Sequence, residues 1–159
     1  MTWHQFKLKL RWKLAEIRRI PYNIYMNIRF PFLRPKIGYF GQYCWYRSIP
    51  KGWRKAFGIQ MCNEIKQSLK RHNSRDFHIT DIKEKWGSLD IFVSACPKEV
   101  SDIINKYEYI SSHTCIECGR IATRRSQGYI LPYCDHCGKE NLSYTHYYKD
   151  YDFYGYKSF

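Results

Sequence analysis

Apolar side chains at Trp53, Phe57, Ile59, Met61, Ile65 and Leu69 recur at the spacing of one helix face, which predicts a helix over residues 52–71 that ends in the polar run 72–76. Phe77, Ile79 and Ile82 lead into the segment 83–94, where Trp86, Gly87 and Ser88 read as a tight turn or bulge between two strands of a β-hairpin. Beyond Cys96, the stripe Val100, Ile103, Ile104, Tyr107 and Ile110 predicts a second helix, with Pro97 acceptable in its first turn. Two helices can then cover one face of the hairpin. The expected fold class is α+β, with a helix, hairpin and helix core over residues 49–110.

Residues 3–20 carry two patterns at once. As a helix they align Trp3, Phe6, Leu10, Leu14 and Ile17, with Lys7, Arg11 and Arg18 beside them. As a strand they alternate Phe6, Leu8, Leu10, Trp12 and Leu14 against Lys7, Lys9, Arg11 and Lys13. Residues 15–19 continue the helical period and break the alternating one, so a helix ending before Pro21 is expected. Pro21, Pro31, Pro35 and Pro50, with Gly38 and Gly41, predict extended arms and turns after it. Residues 1–48 therefore read as an arm and residues 143–159, rich in Tyr, as a tail.

With 159 residues, of which 44% are hydrophobic and 18% aromatic, the chain is long enough for one domain with its own core. No apolar run approaches the roughly 18 residues of a membrane span. Cations interrupt the N-terminal apolar positions, so no signal peptide is read. The net charge of +13 lies almost wholly in residues 1–55, where thirteen Lys and Arg face the single acid Glu16. An anionic partner is expected to bind that third.

Cys115 and Cys118, then Cys134 and Cys137, form two CxxCG knuckles fifteen residues apart. Two thiolates from each knuckle make the closed tetrahedral set of one structural zinc, and the Gly after each pair lets the turn close. This assigns residues 111–142 to a zinc ribbon. With no position left for water the ion is a staple, and His136 is a bystander or an outer-shell group. Arg120, Arg124 and Arg125 between the knuckles either screen the thiolate charge or contact phosphate. The cysteine pattern and the missing signal favour a reducing compartment, so a cytoplasmic location is expected.

No phosphate-binding loop, dinucleotide fingerprint, HExxH or GxSxG occurs. Cys44, Cys62 and Cys96 read as buried structural thiols, and Asp81, Glu84 and Asp90, interleaved with Lys83 and Lys85, as a solvated face. No active site is found, so the protein is expected to be non-enzymatic.

Pro50, Gly52 and Trp53 (PxGW), a helix with Cys62 and Glu64, a KEKxG hairpin (Lys83, Glu84, Lys85, Gly87), a helix and two metal-ligand pairs follow one another. In this order, residues 50–138 resemble a family of small uncharacterised proteins encoded by phages and prophages. In that family the hairpin usually reads KEKFGGLRFY. Here Trp86 replaces the Phe, Ser88 the second Gly and Asp90 the Arg, and Cys137 matches a position that is commonly His. The resemblance implies a phage or mobile-element origin, and with it the cytoplasm of a bacterial host cell, and carries no activity.

Three functions compete, with an enzyme as a minor fourth kept open by the unassigned acids near the hairpin. In the first, a nucleic-acid-binding accessory protein lays Lys7, Lys9, Arg11, Lys13, Arg18 and Arg19 along phosphates, with Trp3 and Trp12 stacking on bases and Arg124 and Arg125 adding contacts. In the second, the arm and the Tyr-rich tail bind and inhibit a host or defence-system protein. In the third, the N-terminal helix lies on an anionic membrane surface.

Overall fold

A computed structural model describes residues 3–36, 43–140 and 145–147. Its first element, α1 (Trp3–Arg29), is a single helix. The alternating strand pattern of residues 6–14 is therefore not used, and the expected stop before Pro21 is also corrected. Pro21 lies inside the helix, and residues 22–29, expected as extended arm, are helical. A proline there forfeits one backbone hydrogen bond and crowds the preceding turn, at a cost of about 3 kcal/mol. The turns after it are anchored instead, since Asn23, Met26 and Asn27 are buried, as is Phe30 just past the helix end, and the Asn27 amide donates to Tyr43 O at 2.9 Å.

The aromatic residues of the basic third divide at this point. Phe30, Phe32, Tyr46 and Trp53 are buried, while Phe6, Tyr22, Tyr25 and Tyr43 are exposed. Phe32 links the 3₁₀ turn Pro31–Leu33 to Phe77 at 5.7 Å between ring centroids, so part of the stretch read as an arm belongs to the core. A second 3₁₀ turn, Trp45–Ser48, places Tyr46 in the same core.

The predicted helix over 52–71 is three pieces in one rod: α2 (Lys51–Trp53), a π-helical turn (Arg54–Gly58) and α3 (Ile59–Arg71). Its end follows from the polar run. Asn73 adopts the left-handed φ of 49°, and the N–H groups of Asn73 and Ser74 turn back to the carbonyls of Lys70 and Leu69, closing the last turn.

Strands β1 (Ile79–Lys85) and β2 (Ser88–Val93) form the expected antiparallel hairpin. Ile79 and Ile82 both face the core despite a spacing that simple alternation forbids, because a bulge between Ile79 and Asp81 resets the phase. In β2 the alternation is clean, with Leu89 and Ile91 inward.

Helix α4 (Lys98–Ser112), preceded by Pro97, lies against β2, and α3 lies against α4. The outer edge of β2 is closed by this helix: Leu89 N–H donates to Ser111 Oγ at 2.7 Å and Ile91 N–H to the Glu108 carboxylate at 3.0 Å. Burial raises the Glu108 pKa, and the Ile91 N–H partly offsets that cost.

The remaining elements build a small module. β3 (Arg124–Ser126) pairs with β4 (Pro132–Tyr133) on one side and β5 (Thr145–Tyr147) on the other, all antiparallel, and α5 (Asp135–Glu140) follows β4. The architecture is mixed helix with two small antiparallel sheets. The remainder of the tail, residues 143–144 and 148–159, lies outside the described residues.

Candidate metal centre

The first knuckle follows the end of α4 and is a tight backbone loop. Cys115 N–H donates to Arg120 O at 2.7 Å and Gly119 N–H to Cys115 O at 3.0 Å, with Gly119 at a left-handed φ of 80°. The second sits where β4 runs into α5: Gly138 N–H donates to Cys134 O at 2.8 Å, and Cys137 N–H points at Cys134 Sγ, 3.5 Å away. Two knuckles from distant sequence thus converge.

The sulfurs of Cys115, Cys118, Cys134 and Cys137 all lie within 4.8 Å of one another, and those of Cys118 and Cys134 are 3.5 Å apart. A tetrahedron of sulfurs with bonds near 2.3 Å has edges of about 3.8 Å, so the four are close enough to hold one metal ion. Cys115, Cys134 and Cys137 are buried against Tyr133, with Ile116 and Leu131 around them.

The protonation energetics favour a cation here. Burial opposes ionisation of Cys118, yet the Arg120 N–H and the neighbouring thiols outweigh it and bring its pKa down to about 6. Cys115 is pushed up by burial, and Cys137 is pushed well up by burial and by the hydrogen bonds of its neighbours. One thiolate is easy to form and the next is costly, since like charges in one site oppose each other. A bound cation removes that penalty.

Two of the intervening arginines are used locally. Arg120 is held by Cys118, which raises its already high pKa further. Arg124 is buried and donates through Nε to Asp135 at 2.8 Å, tying β3 to α5, and that partner lowers the Asp135 pKa. Arg124 is therefore placed inside the module, not on its surface. Arg125 is half-buried on the same strand, and His136 is exposed.

The centre is clamped to the core through residues that spacing alone did not mark. Gly52 N–H donates to Ile116 O at 2.8 Å, and a Cβ on Gly52 would stand 2.3 Å from Cys115 O. The Trp53 indole N–H donates to Thr114 O at 2.7 Å in a fully buried contact. From the other side Gly119 approaches Gly52 O, where a Cβ would stand at 2.6 Å. The PxGW motif is thus the seat of the first knuckle.

The hairpin provides a second clamp. The Glu84 carboxylate accepts from Gly87 N–H at 2.7 Å and from Tyr129 Oη–H at 2.6 Å. This corrects its reading as part of a solvated acidic face. Asp81 and Asp90 do fit that reading, paired with Lys83 at 2.8 Å and Lys85 at 3.7 Å. Cys44 and Cys62 are buried and burial raises both thiols, to about 11 and about 12, whereas Cys96 is only half-buried.

Of the residues assigned to an anionic partner, Lys7, Lys9 and Arg11 are exposed on α1. Trp3, Trp12, Lys13, Arg18 and Arg19 fall within α1, where only their backbone is described. Among the described residues no helix is long and apolar enough to cross a membrane. No protein-family model, curated protein or solved structure matches the chain.

Proposed function

We propose that the chain is a non-enzymatic accessory protein of mobile-element origin, in which a zinc-stapled module steadies an α+β core and the basic helix α1 binds nucleic acid. Zinc is the metal that best suits four thiolates converging on a closed site. The origin rests on the PxGW and KEKxG resemblance. The binding reading rests on one observation: Lys7, Lys9 and Arg11 are exposed on a helix that carries seven Lys and Arg against the single acid Glu16.

The helix also supports a second reading. Phe6, Leu10 and Ile28 are exposed and fall on one row at helical spacing, a surface that suits an anionic bilayer. One experiment separates the two. Full-length protein is titrated with a fluorescent 20-mer oligonucleotide at several salt concentrations, and sedimented with phosphatidylglycerol vesicles. The variant lacks residues 1–20, because the core begins to draw on α1 at Asn23 and Met26.

Nucleic-acid binding is expected for the full chain and lost in the variant. Substituting Lys7, Lys9 and Arg11 by Ala should lower the log-log salt slope by up to about one unit for each phosphate no longer neutralised. Binding that survives the truncation unchanged overturns the assignment to α1 and moves inhibition of a host protein ahead. Vesicle binding without oligonucleotide binding establishes the membrane reading.

A further inference from the structure

The turn joining β1 to β2 consists of Trp86 and Gly87, with Lys85 and Ser88 paired across it. Both central residues have positive φ, 53° and 82°, the geometry of a type I′ turn. Gly, Asn and Asp fill such positions at little cost, whereas an aromatic side chain there is strained. Trp86 nevertheless occupies the first and remains 52% exposed.

Docking of the hairpin on the metal module does not account for this choice. Gly87 already packs on Ile130, where a Cβ would stand 2.9 Å from the carbonyl oxygen, and Glu84 already holds Tyr129 by its hydroxyl. A ring needed only as a pin would be buried between these contacts. Instead Trp86 stacks on Tyr129 with ring centroids 5.5 Å apart and planes inclined by 27°, and Tyr129 is itself 52% exposed. The turn fixes the backbone that carries Trp86, and Glu84 holds the Tyr129 hydroxyl. Lys85, beside the turn, is 58% exposed and stands only at 3.7 Å from Asp90.

We infer that Trp86 and Tyr129 form a rigid stacking platform for an unpaired base of single-stranded nucleic acid, with Lys85 beside it for the backbone phosphate. This rests on the nucleic-acid reading above and adds a second contact, remote in sequence from α1. Every base has a π-face, so such a platform selects unpaired over paired strands and not one sequence over another. Preorganisation matters to its strength, because the strain at Trp86 is met on folding and none is left for binding.

The test uses full-length protein, fluorescein-labelled dT20 and rU20, and a 20-base-pair duplex. Trp86→Asn keeps a residue suited to the left-handed turn, so the fold and zinc content should be retained. It should weaken dT20 and rU20 binding at least about fivefold, leave duplex binding within twofold and leave the salt slope unchanged, since stacking releases no counterion. Trp86→Phe should restore most of the loss. Unequal losses for dT20 and rU20 would tell which strand the platform serves.

If Trp86→Asn binds both single strands as tightly as the parent while removal of residues 1–20 abolishes binding, the platform is refuted and the α1 reading stands. An equal loss on single strand and duplex also refutes it. If the parent chain binds none of the three probes, both readings fall together.

Discussion

Around Cys115 the chain is fixed from within the knuckle by Arg120 O on the Cys115 amide and from α2 by Gly52 against the knuckle backbone and Trp53 on Thr114. Along the first turns of α1, Gln5, Phe6, Lys7, Lys9, Leu10 and Arg11 are all exposed. In the cysteine module Arg124 is buried against Asp135 and Arg120 is engaged by Cys118, whereas the helix displays Lys7, Lys9 and Arg11. The contrast teaches where each kind of substitution registers. Changes at the module are expected to move stability and metal content, and changes at the exposed residues of the first turns of α1 to move only association.

Loss of a ligand should have the largest effect. Cys118→Ser, or a strong chelator, should remove the zinc and the structure of the module, whereas Cys44→Ser in the core should retain zinc at one per chain and cost about 1–3 kcal/mol. Elemental analysis and circular dichroism read both. Zinc retained in full by Cys118→Ser would break the contrast at its base.

Next is Gly52→Ala, which places a methyl group 2.3 Å from a backbone carbonyl that has nowhere to go. It should destabilise by about 3 kcal/mol and weaken zinc retention, because core and module share that contact. Trp53→Phe removes the indole N–H that Thr114 O accepts from and leaves part of a fully buried ring site unfilled, for about 1–3 kcal/mol. Denaturant titrations with zinc monitored in parallel measure both.

A smaller effect is tied to pH. Glu99, at the start of α4, accepts from Arg71, Ser68 and His72 at the end of α3, and these donors, Arg71 foremost, bring its pKa down to about 2. Its folded value lies below the ordinary 4.5, so its contribution is complete above about 4.5 and is lost as pH falls through about 2. Glu99→Gln should flatten the stability profile in that window and leave zinc unchanged. Smallest of all for the fold is the combined substitution of Lys7, Lys9 and Arg11 by Ala, which should shift stability within about 0.5 kcal/mol per site. A larger shift would show α1 to be as integrated as the module.

The legible parts of the fold were those whose signal is local. Periodicity located the helices around Met61 and Ile104, turn residues located the break between the strands at Trp86 and Gly87, and CxxC spacing located the four cysteines, because each signal is carried by a few neighbouring residues. The continuation of α1 past Pro21 was not legible, since it depends on Met26, Asn27 and Phe30 finding partners in residues 43–107 and beyond. Glu84 was misread for the same reason: its neighbours in sequence are lysines, but its partner Tyr129 lies 45 residues away. Gly52 could have been flagged, because a glycine beside a buried Trp in a helical pattern sacrifices propensity and needs a close backbone neighbour to explain it.

The closure of β2 by α4 bears on the order of folding. Leu89 and Ile91 have their amides satisfied only when Ser111 and Glu108 are in place, so the hairpin pairs fully only as the helix docks. Residues 79–112 should then open as one cooperative unit, with the amides of Leu89 and Ile91 exchanging at the rate of the helix and not at that of a frayed ribbon. The same arrangement withholds the outer rail of β2 from any foreign strand, which guards a two-stranded sheet against templating its own aggregation.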